Sequence, residues 1–338
     1  MNYNSNYKQI ITDLAYIALK HPEIQSFGTG DLKQITMDIE TKQEPQYTRM
    51  YVIPEQVILE NYAIHYQFAI VIMDKVKQDL SNLNDVMSDT QRIAQDIFTI
   101  LYRSYTQTDG QYSWQIVTDW GPVLNPFTER FETILGGWTM HIRFQVAYDY
   151  NRCNIPIEDH YNFNQDMVFD SYYNILNDFK AFADKHYQIK SYGFGDITQL
   201  TNDIITKEEP EYIRMYVVPE DSAFDQNHLN ISFNVVVADK LESDYSNQQD
   251  ALNDTLEIIK DFYSLLYLSD YEIDWNAQCT PFFEQYETTL CGWTILLTIN
   301  QKYDYNRCDL PEGSLTKHLT WEEVEELWKE VNQKWKNI

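Results

Sequence analysis

Residues 131–138 read FETILGGW and are followed at residues 148–153 by YDYNRC. Both occur a second time, as YETTLCGW at residues 286–293 and YDYNRC at residues 303–308. The Gly-Trp step, the YDYNRC run and a proline three residues after it all recur at one separation of 155 residues. A constant separation over so many identities predicts a tandem duplication.

The residues that follow Trp138 alternate between apolar and polar, which is the period of a half-buried strand. The apolar members are Met140, Ile142, Phe144 and Val146. Gly136 and Gly137 lie between two strand-like runs, where glycines that adopt positive φ predict a tight hairpin. Cys291 replaces the first glycine in the second copy. Gly137 and Gly292 are therefore the positions predicted to need glycine.

Earlier parts of the two copies correspond at a separation of 165 residues. An amphipathic helix over residues 7–20 recurs from Tyr172, and GTGD at residues 28–31 recurs as GFGD at residues 193–196. This Gly-x-Gly lacks the further glycine or Gly-Lys-Ser/Thr of a phosphate loop and follows a helix, so a turn is predicted. Alternating strands and a long amphipathic helix come next in both copies.

The element order predicts an α+β fold: a tandem duplication of an α/β-sandwich unit, with helices packed on a mainly antiparallel sheet. The predicted divisions are a first repeat at 1–156, a linker at 157–166, a second repeat at 167–312 and a C-terminal helical extension at 313–338. The separation falls from 165 to 155 after the long helix, so the first copy has about ten more residues before Pro122. A length change of this kind marks a loop or hairpin tip.

The C-terminal extension begins with the capping box TWEE at residues 320–323 and predicts a helix with an apolar side. Trp321, Trp328 and Trp335 lie along that side. The first copy has no counterpart. The tryptophans predict docking, either on the helix's own domain or on a neighbouring molecule.

The chain is strongly acidic, with 52 acidic and 25 basic side chains and a formal net charge of −27. Such a surface repels nucleic-acid phosphates and anionic membranes, which disfavours conventional DNA binding. Simple solubility explains the charge equally well. No apolar run is long enough for a membrane span, and the four cysteines form no Cys-x-x-Cys pair, which favours synthesis in a reducing cytoplasm.

No motif for catalysis, cofactor binding or metal binding is found. The sequence contains no His-Glu-x-x-His, Gly-x-Ser-x-Gly, dinucleotide fingerprint or Walker lysine. An acid and base pair is one interpretation of Asp149 with Arg152 and of Asp304 with Arg307. Their closeness after a strand favours a structured loop, in which the aspartate accepts backbone hydrogen bonds and the arginine braces the turn or reaches another subunit.

In the Leu-x-Gly-Trp strand and the YDYNRC run with its proline, the chain resembles structural proteins of tailed bacteriophages. The similarity is to small ring-forming proteins of the tail-terminator and tail-completion type, particularly the duplicated forms in the neck and tail of crAss-like phages. It covers roughly twenty residues per copy, and the rest only by element order. The residues that carry it are Gly137, Trp138, Cys153 and Pro156, and in the second copy Gly292, Trp293, Cys308 and Pro311.

The resemblance implies a non-enzymatic virion protein: a ring in the head-to-tail connector or tail that joins portal to tail and continues the DNA channel. The implied partners are further copies of the chain, with twelve favoured and six possible, the portal and other neck or tail rings, and DNA that passes without specific binding. Acidic channel walls would let DNA slide. Synthesis in the cytoplasm of a bacterial host is implied.

Two other classes of function stay open. A duplicated adaptor that binds another protein without forming a ring would remain a monomer or dimer at every concentration. An enzyme would need titratable side chains that converge in a cleft between the domains, which the sequence does not indicate.

Overall fold

The structure is a computed structural model. It describes residues 6–31, 34–35, 46–60, 62–106, 114–117, 122–130, 133–148, 150, 155–156, 172–196, 210–224, 228–269, 271–274, 276–285 and 289–302. The described residues up to 156 form the first half of the molecule, and those from 172 to 302 form the second half.

The first half contains two helices and six strands. They are α1 (Tyr7–Lys20), β1 (Ser26–Thr29), β2 (Arg49–Glu60), β3 (Ala63–Val76), α2 (Leu83–Thr106), β4 (Gln115–Ile116), β5 (Leu124–Arg130) and β6 (Ile134–Ala147). Helix α1 begins at Asn6, whose side chain accepts a hydrogen bond from the Gln9 amide at 3.0 Å. This cap satisfies one of the amides that a helix start leaves without a partner.

The second half contains two helices and six strands in a similar order. They are α3 (Tyr172–Lys185), β7 (Ser191–Phe194), β8 (Arg214–Pro219), β9 (Ala223–Phe224), β10 (His228–Lys240), α4 (Gln248–Tyr267), β11 (Ala277–Gln285) and β12 (Thr289–Lys302). Its short strands β8 and β9 occupy the sequence range that corresponds to the single long strand β2.

All twelve described strands belong to one sheet. The strand order is β4-β6-β3-β2-β11-β12-β10-β8-β7, while β1 pairs with β2, β5 with β6 and β9 with β10. The β1–β2 and β7–β8 pairs are parallel, and the remaining pairs between described strands are antiparallel. The predicted α+β class with a mainly antiparallel sheet is confirmed. The predicted domain boundaries stay predictions.

The helices cover one face of this sheet. Alternate residues of a strand point to opposite faces, and the residues that point toward the helices are apolar. In β3, for example, Ile64, Tyr66, Phe68, Ile70 and Ile72 are all buried in the main core with residues of α1 and α2. The same buried cluster continues through α3, α4 and the strands of the second half. The main apolar core therefore runs through both halves, and a second, smaller buried cluster in the first half contains Ile35, Tyr51, Val71, Met73 and Leu135.

The predicted hairpin at Gly136 and Gly137 is wrong. Both glycines lie inside β6, where Gly137 pairs with Met73 of β3 and with Phe127 of β5. A Cβ atom on Gly137 would lie 1.9 Å from the Ile72 carbonyl oxygen, and one on Gly292 would lie 2.0 Å from that of Val237. Glycine is needed there because the neighbouring strand passes too close for any side chain.

Candidate functional site

The most distinctive site in the described structure is the contact between the two halves, here called the joint. Its first component is strand pairing between β2 and β11: Val57, Ile58 and Leu59 lie opposite Cys279, Gln278 and Ala277 in antiparallel register. The pairing uses the far part of β2, because its first four residues pair with β1 along the same edge. The two halves thus meet through different surfaces, because β2 of the first half pairs with β11 of the second half.

The second component is α4, which packs on the first half as well as on its own sheet. Fourteen of its twenty residues are buried, Lys260 and Ser264 among them. The Lys260 ammonium lies 4.9 Å from the ring centre of Tyr148, which follows β6. The Tyr148 hydroxyl is 3.4 Å from the Ser264 hydroxyl. Helix α4 is therefore buried on the side that faces its own sheet and on the side that faces the first half.

The buried Lys260 keeps its charge through a local ion pair. Its ammonium donates to both carboxylate oxygens of Glu257, at 2.8 and 2.9 Å. Burial opposes the charged form, but electrostatic attraction to the Tyr66 and Tyr148 side chains and to the Glu257 carboxylate outweighs burial, so the pKa of Lys260 is raised. Burial raises the pKa of Tyr66 to about 12, so this phenol is protonated near neutral pH. Glu257 is therefore the anion that balances Lys260.

The third component is Tyr150, the second tyrosine of the YDYNRC run. Its ring stacks on that of Tyr267 in α4, with centres 4.7 Å apart and planes 20° from parallel, and lies 5.8 Å from that of Tyr263. Its hydroxyl donates to the Glu60 carbonyl at 2.7 Å. In the first copy, the two tyrosines of the repeated motif hold the halves together, which is a physical reason for their presence there.

Shortening Tyr150 should weaken the joint more than removing its hydroxyl alone. We expect Tyr150→Ala to lower the free energy of unfolding by about 3–4 kcal/mol, as for other buried aromatic truncations. Tyr150→Phe keeps the ring and should cost only about 1 kcal/mol, the value of one hydrogen bond. Urea unfolding of both variants tests this, and equal losses would contradict a role for ring stacking.

The fourth component is the start of α1, which reaches the second half. Tyr7 packs edge-on against Trp293, with ring centres 5.9 Å apart, and both side chains are buried. Lys8 forms an ion pair with Asp250 of α4, and its backbone amide donates to Asn253 at 3.3 Å. The Lys8 and Asp250 side chains are about half exposed, so this ion pair contributes little compared with the aromatic contact.

The two motif tryptophans fasten the long helices to the sheet. The indole N–H of Trp138 donates to the Met87 carbonyl of α2 at 2.8 Å, and that of Trp293 donates to the Leu252 carbonyl of α4 at 2.9 Å. Trp293 is fully buried, whereas Trp138 is only half-buried. The difference arises where Tyr7 covers Trp293.

Over its central strands, the sheet face opposite the helices carries many uncharged polar side chains together with Arg143 and His65, beside a small buried cluster that includes Tyr51, Val71 and Met73. Its side chains on β3, β6, β10 and β12 include Gln67, Thr139, Gln145, Asn230, Ser232, Asn234, Thr294, Thr298 and Asn300. The Glu55 carboxylate on this face is held by the His141 imidazole at 2.8 Å and by the Gln67 amide at 3.1 Å. This surface, here called the open face, offers hydrogen-bonding groups with few unbalanced charges.

The described cysteines are buried and free. Burial raises the pKa of the Cys279 thiol and of the Cys291 thiol, which keeps both protonated. Because the thiolate is the reactive form, we expect both to react with iodoacetamide at pH 8 at least about a hundredfold more slowly in the folded chain than in urea. Peptide mass spectrometry after timed quenching measures this. Similar rates in both conditions would contradict their burial.

Several residues singled out from the sequence lie outside the described part of the chain. They are Asp149, Arg152, Cys153, Asp304, Arg307, Cys308, Pro311, Trp321, Trp328 and Trp335. Of the others, Trp138 and Trp293 lie at the contact between sheet and long helix, and Gly137 and Gly292 lie where β6 and β12 pass close to the backbone of β3 and β10. Pro156 accepts a hydrogen bond through its carbonyl from the Tyr187 amide at 3.3 Å.

Sequence reasoning missed Lys260, Glu257, Tyr263 and Tyr267. The available signal was a difference between copies, because the residues that correspond to Lys260 and Tyr263 in α2 are Gln95 and Phe98. Among the described residues, no group of three or more His, Cys, Asp or Glu side chains could hold a metal ion. No described helix is long and apolar enough to cross a membrane.

Comparison with protein-family models, curated proteins and solved structures finds no match to this chain.

Proposed function

We propose that the chain is a tandem duplication of a tail-terminator-like unit and serves as the subunit of a closed ring in a bacteriophage neck or tail. The observation that carries the proposal is the joint. Its two halves bind through unlike surfaces, β2 of one against β11 of the other. Contacts of this heterologous kind, repeated from unit to unit, generate rings when the rotation closes.

The likeness of the halves supports the duplication. The parallel pair β1–β2 has register Ser26 to Arg49, and β7–β8 has register Ser191 to Arg214. His21 faces Asp96 in the first half at 3.5 Å, and His186 faces Asp261 in the second half at 3.3 Å. These pairs all correspond at 165 residues.

The side-by-side arrangement of the halves would let six chains supply twelve units in one tier. Each chain places eight strands abreast, β5-β6-β3-β2 and then β11-β12-β10-β8, so at about 4.8 Å per strand it spans about 38 Å. Six chains would then close a ring about 230 Å around, with twelve units in one tier. Twelve chains in one tier would double that circumference.

The open face is the proposed lining of the DNA channel. Besides Arg143, its central strands carry mainly Asn, Ser, Thr and Gln side chains, which lack the positive charge that makes Lys and Arg contacts with phosphate strong. The net charge of −27 repels DNA at long range. In this proposal DNA passes without binding along a mainly uncharged polar lining, whereas the sequence led us to expect acidic channel walls.

Native mass spectrometry tests the proposal. The chain is measured from micromolar to millimolar concentration, alone and mixed with the portal protein encoded in the same genome. Six or twelve copies, alone or on the portal, are expected. A chain that remains at one or two copies in every mixture would overturn the ring and favour the adaptor.

A further inference from the structure

The joint inside the chain has an incomplete copy at each end of the molecule. We propose that the second half of one chain binds the first half of the next chain as the first half binds the second half within the chain. In the resulting contact, β9 of one chain pairs with the start of β5 of the next. This inference rests on the proposed ring and specifies its interface.

The sheet edges of this contact follow from the correspondence between the halves. The residues of the joint on β2, Val57, Ile58 and Leu59, correspond at 165 residues to Ser222, Ala223 and Phe224. Those on β11, Ala277, Gln278 and Cys279, correspond at 155 residues to Pro122, Val123 and Leu124. Among the described strands, β9 pairs only with β10 and β5 only with β6. Each chain therefore carries one half of the contact at each end.

The internal registers place these edges as in the joint. Phe224 lies opposite Leu229 of β10, as Leu59 lies opposite Ile64 of β3. Likewise, Leu124 lies opposite Met140 of β6, as Cys279 lies opposite Ile295 of β12. The two outer strands have therefore kept the register that the inner joint uses.

Exposure of apolar side chains differs between the joint and its counterparts at the ends. Leu59 is 0% exposed in the joint, while its counterpart Phe224 is 66% exposed. Tyr7 is 1% exposed, and its counterpart Tyr172 at the start of α3 is 40% exposed. Cys279 is 0% exposed, and its counterpart Leu124 is only half-buried. Burying these groups in an assembly would remove apolar surface from water.

The long helices show the same difference. Leu265 and Tyr263 of α4 are buried, whereas their counterparts Ile100 and Phe98 of α2 are exposed and half-buried. Tyr267 of α4, which stacks on Tyr150, corresponds to Tyr102, and the Tyr102 side chain is 43% exposed. Helix α2 thus presents an aromatic and aliphatic surface at the positions that correspond to those where α4 contacts the first half.

Backbone geometry defines the expected pairing at β5. The His141 amide donates to the Val123 carbonyl at 3.4 Å, so the backbone groups of Val123 face β6 and those of Leu124 face outward. Pro126 occupies the next outward position and has no N–H to donate. Pro281 of β11 is its counterpart, beyond the last residue paired with β2. The proline limits the contact to a short pairing, as is usual for an edge strand.

Disulfide cross-linking tests this contact. Val123 and its proposed partner Ala223 would form no backbone hydrogen bonds with each other across the contact. In such a pair the Cα atoms should lie about 4.5 Å apart, which is within the range for a disulfide. Chains with Val123→Cys are mixed with chains carrying Ala223→Cys under mild oxidation. We expect a dimer whose 123–223 link is identified by peptide mass spectrometry, and a ladder ending at the ring size for the double variant.

Controls separate this contact from random collisions. Asp221→Cys replaces Ala223→Cys as a mispaired partner, and the link should be about tenfold weaker because the Cα atoms would lie too far apart. Oxidised wild-type chain sets the background from the natural cysteines. A strong homodimer of Val123→Cys chains would overturn the proposal, since it would show an edge that pairs with itself.

The failure of this contact can be distinguished from failure of the ring. Six or twelve copies in native mass spectrometry without a 123–223 link would overturn the contact and leave the ring. One or two copies with no link would overturn both. A 123–223 link whose yield equals that of the mispaired control would also overturn the contact.

Discussion

Replacing Gly137 with alanine is expected to destabilise the protein by more than about 3 kcal/mol, which exceeds the usual cost of overpacking. The added methyl would lie 1.9 Å from the Ile72 carbonyl oxygen and 3.0 Å from the Met73 Cα, so backbone on the adjacent strand must move. Because β3 and β6 are paired over fourteen residues, that movement disturbs the longest ladder of the first half. Urea unfolding followed by circular dichroism measures the loss.

Gly136→Ala is the matched control for this change. A methyl at Gly136 would meet only side-chain atoms, the nearest being Val76 Cγ2 at 3.0 Å. The corresponding residue in the second half is Cys291, which is accommodated and buried. We expect a loss of about 1 kcal/mol or less. Equal losses at Gly136 and Gly137 would contradict the close approach of the strands as the reason for glycine.

Trp293→Ala is expected to cost about 3–5 kcal/mol, the range for a fully buried large aromatic side chain. The change removes the edge contact with Tyr7, leaves the Leu252 carbonyl without its indole donor and opens a cavity between the halves. Trp138→Ala is the control, because Trp138 makes the same kind of hydrogen bond to α2 but is only half-buried.

The difference between the two tryptophans is the informative quantity. We expect Trp138→Ala to cost about 2 kcal/mol in the dilute chain, since less surface is removed from water there. Unfolding at micromolar concentration compares both variants. Losses that are equal within about 0.5 kcal/mol would show that burial by Tyr7 adds nothing, and that the joint is weaker than its geometry indicates.

The local parts of the fold could be predicted from the sequence. Alternation after Trp138 and the helical spacing before Pro22 identified β6 and α1, because the face of a strand or helix depends on a few neighbouring residues. The hairpin prediction at Gly136 and Gly137 was wrong because glycine has two uses, positive φ and close backbone approach. Only the neighbouring strand decides between them, and its position is not local information.

The joint could not be predicted for the same reason. Pairing between Val57 and Cys279 joins residues more than two hundred positions apart, and no local pattern of residues specifies that partner. For Lys260 in particular, the sequence predicts an exposed position on an amphipathic helix. Its burial depends on Glu257 one turn earlier and on tyrosines of the other half. The repeated YDYNRC run suggested an interface or a structural loop without specifying what it contacts.

In the proposed ring, one kind of joint connects successive units both within a chain and between chains. Electron cryomicroscopy of the assembled particles tests it most directly, because top views count the units and native mass gives the number of chains. We expect one tier with twice as many units as chains, each joined to the next by continuous sheet. Two stacked tiers, or units in contact between chains through their helices alone, would contradict it.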